Sequence, residues 1–118
     1  MASHRDLRCW QRAQALAVRI HDATRGRALR EAPHIAAQVR RASQSIGANI
    51  AEGRGAGSNG QFRRYLDISL GSASETDSHL EQLMRLDLLP PAEALELRDE
   101  LASVRRLTLA LKKSLPPK

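Results

Sequence analysis

Three features of the 118-residue sequence predict an all-α fold, an antiparallel up-down-up-down four-helix bundle. Apolar residues recur at helical spacing in four blocks, Gly and Pro punctuate the gaps between them, and the composition is rich in Leu, Ala, Arg and Glu. Phe, Tyr and Trp occur once each and β-branched residues are few, so a sheet would be poorly supplied. The length suits one hydrophobic core, and residues 1–118 are expected to form a single domain.

The first block, about residues 6–25, places Trp10, Ala13, Leu16, Ala17, Ile20 and Thr24 on one helical face. A charged link, Arg25 to Glu31, leads to Pro33, a residue suited to the first turn of a second helix because its missing N–H has no partner there anyway. Ile35, Val39, Ala42, Ile46 and Ile50 form the stripe of that helix, which is expected to run out into Gly53, Gly55 and Gly57. Ser58 and Gln61 make a capping box for the third helix: the hydroxyl accepts from a free amide and the Gln side chain reaches back. Phe62, Leu66, Ser69, Ala73, Thr76, Leu80 and Leu83 then follow in steps of four and three, the seam of a bundle helix. Its middle residues, Ser69, Ala73 and Thr76, are small enough for neighbouring backbones to approach closely. Pro90 and Pro91 are expected to end this helix and open the fourth, whose seam is Leu97, Leu101, Val104, Thr108, Leu111 and Leu115 before Pro116 and Pro117.

Some apolar residues fall outside the seams. Leu95, Ala102 and Leu109 repeat every seven residues about half a turn from the fourth seam, and Ile68 and Leu86 lie off the third. Such residues are a candidate homo-oligomer interface, since a monomer gains nothing by leaving them wet; the alternative is scattered surface apolar residues.

Charge is divided unevenly. The chain carries 19 Lys and Arg against 13 Asp and Glu, a net +6. Residues 1–64 hold 12 Arg against 4 acids, +8, whereas residues 65–118 hold 7 bases against 9 acids, −2. A basic half points to a polyanion, RNA or DNA; the alternative is that Arg is simply the chain's default solvated residue. Arg40, Arg54, Arg63 and Arg64 are the candidate nucleic-acid contacts: Arg40 and Arg64 point away from their seams, and Arg54 and Arg63 flank the Gly-rich turn. The single Trp, Phe and Tyr all read as packing residues, so binding should be led by the phosphate backbone and weakly specific. A second class of function stays open beside it, a protein-interaction or scaffold module whose Arg residues are only solvated.

The sequence argues against an enzyme, a metal site or a cofactor. No two of His4, His21, His34 and His79 stand at the three- or four-residue spacing of a helical two-ligand site. No nucleophile elbow surrounds any Ser, and the glycines of residues 53–60 lack the preceding strand and the Lys of a phosphate loop. The single Cys9 cannot form an internal disulfide and reads as a small packing residue. No stretch reaches the roughly 18–20 apolar residues of a membrane span, and the start of the chain lacks a signal-peptide apolar region, so a cytoplasmic location without membrane contact is expected. In the second helix, Gln38, Ser45, Asn49 and Glu52 form a polar stripe beside the apolar face with Arg41 at its margin. Polar groups there need partners, expected from other helices, Glu75 or Asp77, or from another subunit.

Several runs resemble a known family. Asp6-Leu7 followed by Trp10-Gln11, Gln38 to Ala42 with Ser45-Ile46, Asn49 to Gly53, Phe62 to Leu66, and Gly71 to Ala73 are similar to the bacterial four-helix-bundle family that includes proteins encoded in intervening sequences of large-subunit ribosomal RNA. The resemblance spans nearly the whole chain and is most specific from Gln38 to Gly53. It implies a four-helix bundle related to the accessory proteins of diversity-generating retroelements, and therefore a ring-forming homo-oligomer, a pentamer, with nucleic acid as partner. The chain departs from the pattern at His4-Arg5, where an aromatic residue is common, in the turn before Pro33, and at Gln61, where an acid is usual. These changes sit in turns and caps, so they bear on turn-mediated contacts and not on the fold.

Overall fold

A computed structural model describes residues 3–117; Met1, Ala2 and Lys118, the ends of the expected domain, lie outside the described residues. The structure is all-helical, with no strand among the described residues: a single turn at His4–Asp6, then α1 (Arg8–Ala23), the short α2 (Arg27–Arg30), α3 (Pro33–Arg54), α4 (Asn59–Arg85) and α5 (Pro91–Ser114). The four long helices pack about one core in a body of 47 × 21 × 20 Å. Each touches two others: α1 meets α3 and α5, and α4 meets α3 and α5.

The seam of α4 is buried at all seven expected positions, Phe62 through Leu83. Its small middle residues let α3 come close enough for the Ser69 hydroxyl to donate to the Ile46 carbonyl at 2.8 Å. In a buried place that bond satisfies a hydroxyl that would otherwise cost about 1–3 kcal/mol. On the other side of α3, Gly47 faces Ala13 and Trp10 of α1, and a Cβ there would lie 3.1 Å from Gln14 Oε1. The α5 seam is buried from Ala94 to Thr108, whereas Leu111 and Leu115 are only half-buried as the helix leaves the core.

The structure departs from the expected elements at the connections. The Arg25–Glu31 link is not a plain charged loop: α2 folds within it and delivers Leu29 into the core. α1 closes at Thr24, a buried residue whose hydroxyl donates to the Ile20 carbonyl at 2.8 Å. Gly53 is not a turn residue but the penultimate residue of α3, buried against Phe62 and Tyr65. α4 stops at Arg85, well before Pro90, because Asp87 takes a left-handed conformation (φ 57°). The Leu88 amide then donates to the Leu83 carbonyl at 2.9 Å and the Asp87 amide to that of Met84 at 3.1 Å. That pair of bonds is a Schellman ending, with Asp in the place Gly usually holds.

Ion pairs tie the surface of α5 to its neighbours. Arg98 bonds Asp77 at 2.8 Å and approaches Glu81 at 3.5 Å, Lys112 meets Asp67 at 2.6 Å, and Arg19 of α1 engages Glu100. The Arg98 guanidinium is held above its ordinary pKa by the hydrogen bond to Asp77. Burial pushes the Cys9 thiol up, with the Thr108 side chain acting the other way. A raised thiol pKa keeps Cys9 protonated and unreactive, as a packing residue should be.

Candidate nucleic-acid interface

The Gly-rich turn between α3 and α4 is held from both sides. Ser58 Oγ accepts from the Gln61 amide at 3.2 Å, while Gln61 Oε1 accepts from the Gly57 amide at 3.3 Å. The expected capping box is therefore displaced by one residue, the Gln reaching back past Ser58 to Gly57. Two open clefts flank the turn. One, of about 370 Å³, is lined by Arg54, Ala56, Gly57, Ser58, Asn59 and Phe62; the other, of about 240 Å³, lies beside Glu52, Gln61, Arg64 and Tyr65.

The four candidate arginines fall into different situations. Arg64 is exposed on α4 and Arg54 lines the larger cleft. Arg63 donates from both terminal nitrogens to the carbonyls of Pro116 and Pro117, at 2.6 and 2.7 Å, and so holds the segment after α5 against the start of α4. Arg40 does not point outward: its Nε donates to Thr24 Oγ1 at 2.8 Å and its Nη2 to the Thr24 carbonyl at 3.0 Å, clamping the end of α1. It is half-buried, and two of its donors are engaged at the C-terminal end of α1. The sequence could not show this, since the pairing depends on how the link through α2 folds back.

The polar stripe of α3 is likewise divided. Ser45 Oγ and Ser72 Oγ are 2.8 Å apart, and Asn49 Nδ2 donates to both the Ser45 carbonyl and its hydroxyl at 2.8 and 2.9 Å. Gln38, Arg41 and Glu52 are exposed instead. The partners expected for the stripe are occupied elsewhere, Asp77 by Arg98 and Glu75 by His79. The pairing expected for Glu52 is therefore not seen among the described residues, whereas Asn49 belongs to a half-buried network whose third member, Ser72, the sequence did not single out. Asn49→Ala removes two donated bonds, so a loss of about 1 kcal/mol in chemical denaturation is expected. An unchanged midpoint would mean that the network is slack.

Of the candidate interface residues, Ile68, Leu86, Leu95 and Leu109 are exposed and Ala102 is half-buried. Val18 on α1 is exposed too, unforeseen because it stands alone. Among the described residues no group of three or more His, Cys, Asp or Glu is placed to hold a metal ion, and no helix is long and apolar enough to cross a membrane.

The fold redistributes the charge. Contacts of Trp10 and Ala13 with Gly47, of Arg63 with Pro116, and of Asp67 with Lys112 gather segments 3–13, 47–67 and 104–117 into one half of the molecule. Those segments carry ten Lys and Arg against three Asp and Glu, +7; the opposite half, segments 14–46 and 68–103, carries eight against ten, −2. The polarity therefore runs along the body and not between the two halves of the sequence. Arg5, Arg8, Arg12, Arg105, Arg106 and Lys113 join Arg54, Arg63 and Arg64 at the basic end. The α5 cations were missed because they sit in the acidic half of the sequence, and only the packing of the helices brings them across.

A family model described as 23S rRNA-intervening sequence protein matches residues 5–110. A solved structure from Bacteroides thetaiotaomicron VPI-5482, described as a protein with unknown function from the S23 ribosomal protein family, is 27% identical with a TM-score of 0.80, over 90% of this chain and 99% of that one. No curated protein matches the chain.

Proposed function

The chain belongs to the 23S rRNA-intervening sequence protein family, and from that premise we propose that it is a non-catalytic, self-associating helical bundle whose basic end binds the phosphate backbone of RNA or DNA. Phosphate oxygens are recognised by clustered Arg and Lys whatever the base sequence, and affinity then depends on the number of phosphates neutralised. The observation that carries the proposal is the +7 against −2 division between the two halves of the molecule. Four helix termini and the Gly-rich turn meet at the basic half, so cations from three separate segments share one half of the molecule. Self-association through the outward apolar residues Ile68, Leu86, Leu95, Ala102 and Leu109 would place several such patches on one particle, and linked weak sites gain roughly 10²–10⁴ in apparent affinity when geometry permits.

The bundle is proposed to run up-down-up-down, each helix antiparallel to its neighbours. Residue pairings support it: Ile46 meets Ser69 while Gly53 meets Phe62, Asp77 meets Arg98 while Asp67 meets Lys112, and Thr24 meets Arg40 while Ala13 meets Gly47. In each pair the number rises along one helix as it falls along the other.

Gel shift or fluorescence anisotropy with unrelated RNA and DNA oligomers, from low to physiological salt, tests the proposal. Log affinity should fall linearly with log salt, by about 0.9 per phosphate contact on duplex DNA. Arg8→Ala with Arg64→Ala should lower that slope by roughly two contacts, alike on every sequence, while Arg27→Ala with Arg30→Ala in the opposite half leaves it unchanged. No binding at low salt, or equal losses in the two double variants, would turn the reading to a protein-interaction or scaffold module. That alternative draws on candidate arginines that are already engaged within the chain, Arg40 and Arg63 among them.

A further inference from the structure

Where α4 begins, its contact with the far end of α5 changes character. Asp67 of α4 holds Lys112 of α5 at 2.6 Å. Arg63 stands four residues before Asp67 and Pro116 four residues after Lys112, so the register that pairs the acid with the lysine also brings Arg63 opposite Pro116. At this level the cation is on α4, and the partner segment offers no acid. α5 has ended at Ser114, and Leu115, kept out of the helical region by the proline that follows it, is extended (φ −72°, ψ 136°). Arg63 takes backbone carbonyls instead: one terminal nitrogen donates to that of Pro116 at 2.6 Å and the other to that of Pro117 at 2.7 Å.

The two prolines offer Arg63 what a phosphate would. Two acceptors lie side by side before the two terminal nitrogens, the arrangement by which a guanidinium fork takes two oxygens of a phosphodiester. Neither proline has an N–H, so the backbone here presents acceptors only. Their fixed φ lets the segment order at little entropic cost, and Leu115, packed against the core, keeps it within reach. The carbonyls are nevertheless neutral and the contact is exposed to solvent. A guanidinium holds an ionised oxygen about twice as strongly as a neutral one, so a phosphate can displace them.

We propose that residues 116–117 form a strap that occupies the Arg63 guanidinium, holds the basic end below its full affinity for RNA, and lifts when the phosphate backbone takes Arg63 over. The inference rests on the phosphate-binding reading of the basic end and adds its regulation. Phe62, next to Arg63 in the chain, lines the larger cleft at the Gly-rich turn together with Arg54, so a released Arg63 adds its charge beside a cation already at the turn. The strap also accounts for a candidate contact that is folded inward in the free protein: its donors are lent to acceptors of the same geometry and weaker charge.

Fluorescence anisotropy with a mixed-sequence single-stranded RNA, at one fixed low salt concentration, tests the strap on the full chain, on a chain ending at Leu115, and on both with Arg63→Ala. Removing the strap should raise RNA affinity about two- to tenfold, the range set by a hydrogen bond exposed to water, even though the shortened chain also loses the positive charge of Lys118. The gain should vanish in the Arg63→Ala background, because no guanidinium is left there to release. Pro116→Gly with Pro117→Gly keeps the length and every charge but makes the strap costlier to order, so it should show a smaller gain in the same direction, and it decides the outcome if the shortened chain melts early. Equal affinity of the strapped and strapless chains, or a gain that survives Arg63→Ala, would overturn the strap while leaving the nucleic-acid reading in place. Absence of binding by every variant would overturn the proposed function and the strap with it.

Discussion

Leu66→Ala is expected to cost about 2–5 kcal/mol, a fall of about 10 °C or more in thermal unfolding followed by circular dichroism. Leu66 is wholly buried in the α4 seam, between Phe62 and Ser69. Burying a Leu contributes roughly 1.5–3 kcal/mol by area alone, and the remainder comes from the cavity that truncation leaves. How far the walls relax decides where in the range the value falls. Here α3 is pinned to α4 one turn away, by the Ser69 to Ile46 bond on one side and by Gly53 against Phe62 on the other, so the gap cannot close by sliding the helices together. A loss under about 1 kcal/mol would show that the seam collapses freely and that the pinning is weaker than its geometry.

Gly53→Val is expected to be nearly as damaging, for the opposite reason. A Cβ built at Gly53 would stand 2.8 Å from Phe62 Cδ1 and 2.9 Å from Tyr65 Cβ, closer than carbon atoms approach without something moving. Phe62 is itself buried, and the Tyr65 Cβ is fixed by the α4 backbone, so the first turns of α4 must shift away from α3. Overpacking of this kind costs about 1–3 kcal/mol, and the branches of Val add to the crowding. Since the Gly-rich turn joins the two helices, the same shift should move Arg54 and Arg64 relative to each other, and phosphate binding should weaken beyond what the stability loss explains. A Gly53→Val protein with the original melting temperature would mean that α3 and α4 are not in contact at this point.

These two positions also show what the sequence made legible. The α4 seam could be placed residue by residue, because a step of four and three admits one face and because Ser58 marks its start. Gly53 could not, since a glycine before more glycines has the signature of a turn; only the approach of Phe62 and Tyr65 shows that it is a packing residue inside a helix. α2 escaped for a similar reason, a single turn among charges with only Leu29 facing inward. At the candidate interface the charge excess was legible, but its placement was not. Arg40 looked outward by helical angle alone and is drawn back by Thr24, a partner sixteen residues away in the chain. Arg105, Arg106 and Lys113 stood in the half of the sequence with net −2, and they join the basic patch only because α5 packs beside α1 and α4. Long-range pairing of this kind leaves no periodic trace, so side-chain type could be read from the sequence and side-chain company could not.

The most direct test of the basic-end interface is a titration of the isotope-labelled protein with a short single-stranded RNA of mixed sequence, in low salt, followed by backbone amide shifts. Binding through the basic end predicts that the moving amides cluster at residues 5–12, 54–64 and 105–113 and that the shifts fade as salt is raised. Amides around Asp87 to Glu96 at the other end should hold still. Shifts centred on that acidic end, or a spectrum unchanged by excess RNA, would contradict a nucleic-acid interface at the Gly-rich turn.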